Sequence, residues 1–306
     1  MTARAAVLVL EHQQPQRLAA LLRSLEHPDI DIYVHIDARI PRAPFELLAP
    51  AGAQLTYLGD DVRVAVSWGD LSLFDASLAT LRVALDSDRG YGRYALLSGA
   101  DLRIAPLDEI LTAWSGDAEF MRIDRALTGP ELQPDWRVRR RHFRQDAGFI
   151  GRMLSGRLPR AVDKTMDLYQ GSQWWALTQG AARYVCDFVD GHPEWLHFHR
   201  HTFGPDEIIV QSILANSRYA QAITQNHAHS HTAHSPTPHS GAEAGADPRL
   251  HGMHYIDWSD PAASSPRVLS IDDLADLHRS PAFFARKLGP ESSALAAAFE
   301  RDFAGR

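Results

Sequence analysis

The stretch AAVLVLEHQQPQRLAALLRSLEHPDIDIYVHID, residues 5–37, decides the fold. AAVLVL (residues 5–10) is a short, unbroken apolar run, the pattern of a strand covered on both faces. Pro15 then opens a helix through QRLAALLRSLEH, with Leu18, Leu21, Leu22 and Leu25 at the i, i+3, i+4, i+7 spacing that puts them on one face. IDIYVHID (residues 30–37) is a second strand. Strand, helix and strand in this order make a βαβ unit, which requires parallel strands.

Working outward, the rhythm continues. QLTYL is a strand, LSLFDASLATLRVALD (residues 71–86) an amphipathic helix, RYALLSG (residues 93–99) a buried strand, PLDEILTAW a helix opened by Pro106, and AEFMRI a strand. GSQWWALT (residues 171–178) is expected as a strand bulky on both faces, and AARYVCDFV as a helix. In the tail, IDDLADLHRS, PAFFARKL and SSALAAAFERDFA carry helical patterning. Residues 124–170 are arginine-rich and aperiodic, an expectation of long loops beside a site. Residues 226–250 are of low complexity and expected to form a mobile His-rich loop. The reading is one α/β domain over residues 1–306 with a mostly parallel sheet flanked by helices.

Composition bounds the function. With 45% hydrophobic and 23% charged residues the 306-residue chain can build a substantial core, and its net charge of −7 argues against a nucleic-acid binder. RVRRRHFR (residues 137–144) is a local basic patch. The lone cysteine, Cys186, excludes an intrachain disulfide, fits a reducing compartment and reads as a small core residue. No apolar run reaches the length of a membrane span, and MTARAAVLVLEH has no small-residue cleavage site behind its apolar run. A cytoplasmic protein without integral membrane contact is expected.

Ligands of open parallel sheets bind at the carboxyl ends of the strands. That rule points to Glu11, His12, Asp37 and Ser98–Asp101. A second candidate is HTFGPDEIIVQSILANS (residues 201–217), where Asp206 and Glu207 follow a Gly-Pro pair and open a short buried helix. Acids behind a proline at a helix start complement the helix dipole, which is one explanation for them. The other is that one carboxylate, kept ionised by the helix end, is a general base.

The company of that stretch bears on the choice. In chain order stand AVLVLEHQQPQRL, IYVHIDAR, VRVAVSWGDLSLFDASL, YALLSGADLRIAPLDEI, GSQWWALT, GPDEIIVQSILANS, MHYIDWS and SPRVLSIDDLADLHRSPAFFARKL. The series, from about Ala6 to Leu288, resembles the core-2/I-branching glycosyltransferase family, which includes β-1,6-N-acetylglucosaminyltransferases and peptide O-xylosyltransferases. The resemblance implies a GT-A-type nucleotide-sugar fold and an inverting transfer from a UDP-sugar, with GlcNAc or xylose as the leading donor sugars. The acceptor would be a hydroxyl of a glycan, peptide or small molecule. It makes Glu207 the catalytic base and Asp206 its support. It places Arg267 and Lys287 on the diphosphate in lieu of a metal, so no cofactor is expected. Asp29-Ile30-Asp31 and Asp86-Ser87-Asp88 lie away from the strand tips, and at the expected strand end there is only Ser98-Gly99-Ala100-Asp101.

By the same resemblance Asp37 and Arg63 serve the nucleotide, although Asp37 read alone is equally a strand-end turn. Asp70 stands where relatives often carry a second glycine, and Leu102 and Arg103 follow Asp101 where an aromatic and a proline are usual. Asp101, Trp174, Tyr255 and Trp258 are candidates for the substrate or acceptor pocket, the aromatics as sugar platforms or as core. If the strand is regular, one of Trp174 and Trp175 must point into the core. His227, His229, His231, His234, His239, His251 and His254 could capture zinc opportunistically, but no H-E-x-x-H accompanies them. HFHRH (residues 197–201) could line the cleft. Two rival readings are a non-catalytic sugar-nucleotide or glycan-binding protein on the same fold, and a zinc-dependent hydrolase built on the His-rich segment.

Overall fold

A computed structural model describes residues 4–50, 54–143, 147–162, 164–228, 247–260, 262–263 and 265–304. The opening stretch forms β1 (Ala5–Glu11), α1 (Pro15–Ser24) and β2 (Ile30–Ile36), and β1 and β2 pair in parallel from Ala5 opposite Ile30 to Glu11 opposite Ile36. Every residue of β1 and β2 is buried. Ala5, Val7 and Val9 enter one apolar cluster and Ala6, Leu8 and Leu10 another, so β1 is covered on both faces as its unbroken apolar run requires.

The chain continues through α2 (Ala43–Glu46), β3 (Gln54–Tyr57), α3 (Ser72–Leu85), β4 (Arg93–Ser98), β5 (Asp101–Arg103), α4 (Leu107–Trp114) and β6 (Glu119–Ala126). Then come α5 (Trp136–Arg139), α6 (Gly148–Leu154), β7 (Tyr169–Gly171), β8 (Ala176–Thr178), α7 (Gln179–Gly191), α8 (Pro193–His199), α9 (Ile209–Ala215) and β9 (Ile223–Asn226). The chain closes with β10 (Leu250–His251), β11 (His254–Ile256), α10 (Leu274–Arg279), β12 (Phe284–Arg286) and α11 (Ser293–Ala304). The large sheet runs β3-β2-β1-β4-β8-β6-β7, with β9 on the free edge of β6. Strands β3, β2, β1 and β4 are parallel, and β8 is antiparallel to β4. This is the α/β class with a mostly parallel, helix-flanked sheet that the βαβ reading expects.

A second sheet, β10-β11-β12-β5, stands at the end of β4. The chain leaves β4 at Ser98, turns through Gly99 and Ala100, and enters β5 at Asp101. The small sheet therefore crosses the carboxyl ends of β1 and β4, where the ligand rule looks for a site.

Three expectations need correction. PAFFARKL is not helical: Phe284–Arg286 is β12, lying between β11 and β5. Phe284 and Ala285 are fully buried there, and satisfying the backbone of two neighbouring strands outweighs the weak helical pattern. GSQWWALT is not one regular strand. β7 and β8 both run antiparallel to β6 and are separated by an irregular Ser172–Trp175 segment, so Trp174 and Trp175 are both buried. Gly171 is obligatory there, because an added Cβ would lie 1.9 Å from the Arg122 carbonyl oxygen. The arginine-rich segment holds two short helices, α5 and α6, rather than loop alone. Most of the His-rich segment, residues 229–246, lies outside the described residues.

Candidate functional site

Glu207 closes a tight 3-10 turn, Pro205–Glu207, that runs directly into α9. The turn is fixed from both ends. Gly204 sits at φ 62°, in the left-handed region glycine tolerates, and its N–H donates to the Gly69 carbonyl at 3.0 Å. Ile208, Ile209, Val210, Ile213 and Leu214 bury the following residues in the main core, so the carboxylate stands on a rigid mount.

The surroundings of Glu207 orient it. Gln170, in β7, donates from Nε2 to Glu207 Oε2 at 3.1 Å. Its Oε1 accepts from Arg125 Nε at 3.1 Å and from Arg137 Nη1 at 3.2 Å. Two guanidinium donors on the carbonyl side leave the amide N–H₂ for Glu207, so the Gln170 amide has one consistent orientation. Asp135 accepts from Arg125 at 2.8 Å and caps α5 at the Arg137 N–H. Burial pushes the Glu207 carboxyl above its usual range, partly offset by the positive charge of Arg137 and the Gln170 hydrogen bond. Burial and the charge of Glu207 push Asp206 up to about 8. Asp206 is therefore largely protonated at neutral pH, which removes a like charge from beside Glu207.

Aromatic rings frame the mouth beside this pair. Phe203 contacts Trp68 (5.5 Å between ring centroids), Trp136 (5.2 Å) and His142 (5.4 Å). Trp68 is 59% exposed and Trp136 42%, so two large apolar faces are open to solvent next to a half-buried carboxylate. Trp136, Arg137 and Gln170 were not singled out as site residues from sequence, Arg137 being met only in the basic patch of residues 137–144. The arginine-rich composition pointed at the first two, and nothing marked Gln170.

At the strand tips, Glu11 Oε1 accepts from the backbone N–H of His12 and of Gln13, each at 2.6 Å, turning the chain into α1. Asp37 accepts from Arg39 N, Nε and Nη2 and from Val66 N at 3.0 Å. Burial alone would raise its pKa, but these donors outweigh it and hold the carboxyl below its usual range. Arg63 donates to the Ile40 carbonyl at 3.0 Å and pairs with Asp60. Asp37 and Arg63 together thus tie the segment bearing Trp68 to the end of β2.

Asp101 is fully enclosed. Arg286 Nη1 donates to it at 2.7 Å and His254 Nε2 lies 3.2 Å away, and their charges hold its carboxyl low in spite of burial. Arg286 also binds Ser98 Oγ and stacks over the Trp174 ring at 4.3 Å. Trp174 is 6% exposed, between Arg286 and His254. Next to Arg286, Lys287 donates to Ser265 Oγ at 3.1 Å, and burial, with Arg286 and Arg17 nearby, lowers its pKa. Arg17, Arg286 and Lys287 therefore gather cationic charge at the junction of the two sheets. Arg267 flanks the same segment with its charge committed to Asp257 (2.7 Å) and Asp273 (2.5 Å). Gln170, which binds Glu207, and Trp174, which Arg286 covers, are four residues apart on one chain run, so their Cα atoms are at most about 14 Å apart.

Tyr255 offers no face to a substrate. It is 1% exposed, packed in the small-sheet core, and its hydroxyl lies 2.7 Å from Arg249 Nη1. Trp258 is half-buried against the main core. His199 is also core, its pKa lowered to about 3 by burial, so HFHRH reaches the cleft only through neighbours such as His201. Asp31, at the start of β2, binds Arg4 and Arg89. Among the described residues no three His, Cys, Asp or Glu side chains converge as metal ligands.

A cavity of about 1200 Å³ lies elsewhere, between α1, β5, α4 and α11. Asp101 and Leu288 touch it, but Glu207 does not, and its other acids (Glu26, Asp108, Glu109, Glu300) are surface residues. Those exposed acids have no low-dielectric surroundings to tune them, unlike Glu207.

Comparison with known proteins bears on this arrangement. Residues 6–278 match the model of the Core-2/I-Branching enzyme family. Xylosyltransferase 1 of Rattus norvegicus is 23% identical over 306 residues, covering 92% of this chain and 33% of its own. A xylosyltransferase of Ciona intestinalis is 24% identical over 301 residues, covering 92% of this chain and 32% of its own. The chain thus spans about a third of the length of these relatives. The solved structure of the glycosyltransferase GlyE of Streptococcus pneumoniae TIGR4 aligns with 74% of this chain and 45% of that one, at 13% identity and a TM-score of 0.34.

Proposed function

The chain belongs to the Core-2/I-Branching enzyme family, and from that premise we propose that it is an inverting glycosyltransferase with Glu207 as its general base. The observation that carries the proposal is the Glu207 environment: a half-buried carboxylate oriented by Gln170, facing Arg137, with open aromatic faces beside it. An acceptor hydroxyl is a weak nucleophile at neutral pH. Glu207 takes its proton while the oxygen attacks the sugar C1 from the side opposite the leaving group. The bond from C1 to the diphosphate oxygen breaks, and its electron pair stays on the departing UDP. Asp206, neutral at this pH, removes a like charge from beside the base.

The donor is a UDP-sugar, with xylose favoured over GlcNAc by the names of the relatives. Lys287, with Arg286 and Arg17, would stabilise charge on the leaving diphosphate, as fixed cations do without coordination chemistry. Arg267 could join them by exchanging a carboxylate partner for phosphate. The reaction is proposed to need no metal, because Asp101, the acid at the tip of β4, is closed off by Arg286 and His254. The acceptor would pack on Trp68 and Trp136, and could be a glycan, a peptide or a small hydroxyl compound.

The test is product stereochemistry. Protein dialysed against EDTA is given each UDP-sugar with a panel of hydroxyl acceptors, and the anomeric configuration of the product is read by NMR. Inversion at an EDTA-indifferent rate is expected. Retention of configuration, or activity that returns only with added divalent metal, would overturn the proposal.

A further inference from the structure

Residues 137–160 carry eight arginines and one acid, Asp146, within a chain whose net charge is −7. The structure gives this charge a shape. Arg141 N–H donates to the Leu158 carbonyl at 2.8 Å, Gly156 N–H to the Arg141 carbonyl at 2.8 Å, and Arg160 N–H to the Arg139 carbonyl at 2.9 Å. These bonds, with the bridge between Arg140 and Pro159, make a short two-stranded stem. Helix α6 sits at its far end and buries no residue. Phe149 is 75% exposed, Ile150 67% and Met153 46%.

The stem is firmly seated. Arg160 donates to the Val138 and Phe198 carbonyls, each at 2.6 Å, and to Thr202 Oγ1 at 2.7 Å. His142 N–H donates to the His201 carbonyl at 2.9 Å. Arg139, Arg141, Arg152 and Arg157 are exposed, and among the described residues none of them has an acidic side chain at ion-pair distance. An apolar tip that the fold does not cover, set among unpaired cations on an acidic protein, matches a surface that is apolar at its depth and anionic at its face.

We propose that α6 and its arginine stem form a peripheral docking element for anionic lipid bilayers. Phe149, Ile150 and Met153 enter the headgroup boundary while Arg139, Arg141, Arg152 and Arg157 meet the lipid phosphates. Because the stem is bonded to His201 and adjoins Trp136, docking would hold the mouth at Glu207 beside the membrane plane. The inference stands on the surface alone and does not depend on the catalytic reading.

The experiment is sedimentation of the full chain with vesicles of phosphatidylcholine alone and of equal parts phosphatidylcholine and phosphatidylglycerol. Binding to the mixed vesicles only, weakened by added salt, is expected. Replacing Arg152→Glu or Arg157→Glu should weaken it by at least about fivefold each, the effect of losing one cation near an anionic surface. The double variant Phe149→Ser, Ile150→Ser should also lose binding, with an unchanged melting temperature because both side chains are exposed. Equal binding to both vesicle types, or to neither, would overturn the proposal. So would vesicle binding that all these variants retain, or a dimer of the free protein that the double variant dissolves, which would make the patch a self-interface.

Discussion

Replacing Asp206→Asn should stabilise the protein, increasingly as the pH rises. Folding lifts the Asp206 carboxyl from its ordinary value of 3.8 to about 8. Between those values the folded chain holds a proton that the unfolded chain has lost. A pKa raised by folding contributes stability that is complete below the unfolded value and is lost as pH climbs through the folded one. Each pH unit within that window costs the wild type one proton's worth of free energy, so this group alone removes about 3 kcal/mol between about pH 5 and pH 7. Asparagine has nearly the same shape and cannot titrate, so the loss should vanish in the variant. At about 2 °C per kcal/mol for a chain of this size, the gap between the two melting temperatures should widen by about 6 °C over that interval. Paired thermal melts across the range measure it. Turnover near neutral pH should survive, because asparagine presents the same uncharged neighbour to Glu207. Parallel melting curves at every pH would refute the reasoning, since they would mean that Asp206 folds ionised.

Other sites make further predictions. Replacing Arg137→Met removes the cation facing Glu207, so the acid limb of the kcat/KM profile, where the base becomes protonated, should move to higher pH. An unmoved limb would disconnect Arg137 from the base. Replacing Lys287→Met should weaken UDP binding by about tenfold to a hundredfold, the range for a charge-assisted contact, with the melting temperature little changed; calorimetric titration with UDP decides it. Replacing Gly171→Ala places a methyl against the Arg122 carbonyl and should cost about 1–3 kcal/mol by overpacking. The denaturant midpoint measures this, and an unchanged midpoint would contradict the close approach.

The parts of the fold that followed from periodicity were those with both a clear period and enough length. β1, α1, β2, α3 and α4 are examples, each with apolar residues repeating in a way that admits one element type. β12 was illegible because its three residues are too few to show alternation, and its partners β11 and β5 are distant in sequence. β7 and β8 share a sequence stretch that looks continuous, and the irregular segment between them is set by their pairing to β6. At the candidate site, Glu207 drew notice as one of two acids behind a Gly-Pro pair, and the family resemblance chose it over helix capping. Gln170 and Arg286 were not, since their roles come from tertiary contacts across 37 and 185 residues of chain. Tyr255 shows the converse: an aromatic beside a promising motif was core, and only burial could tell.

The most direct test of the account is turnover by Glu207→Gln set beside its affinity for the donor. Wild type and variant are compared for sugar transfer from the active UDP-sugar, and for UDP-sugar binding by calorimetry, with melting curves to confirm the fold. The account predicts a rate at least about a hundredfold lower with donor affinity unchanged, because a general base acts on the acceptor proton and not on the nucleotide. A variant that transfers sugar at the wild-type rate would contradict it.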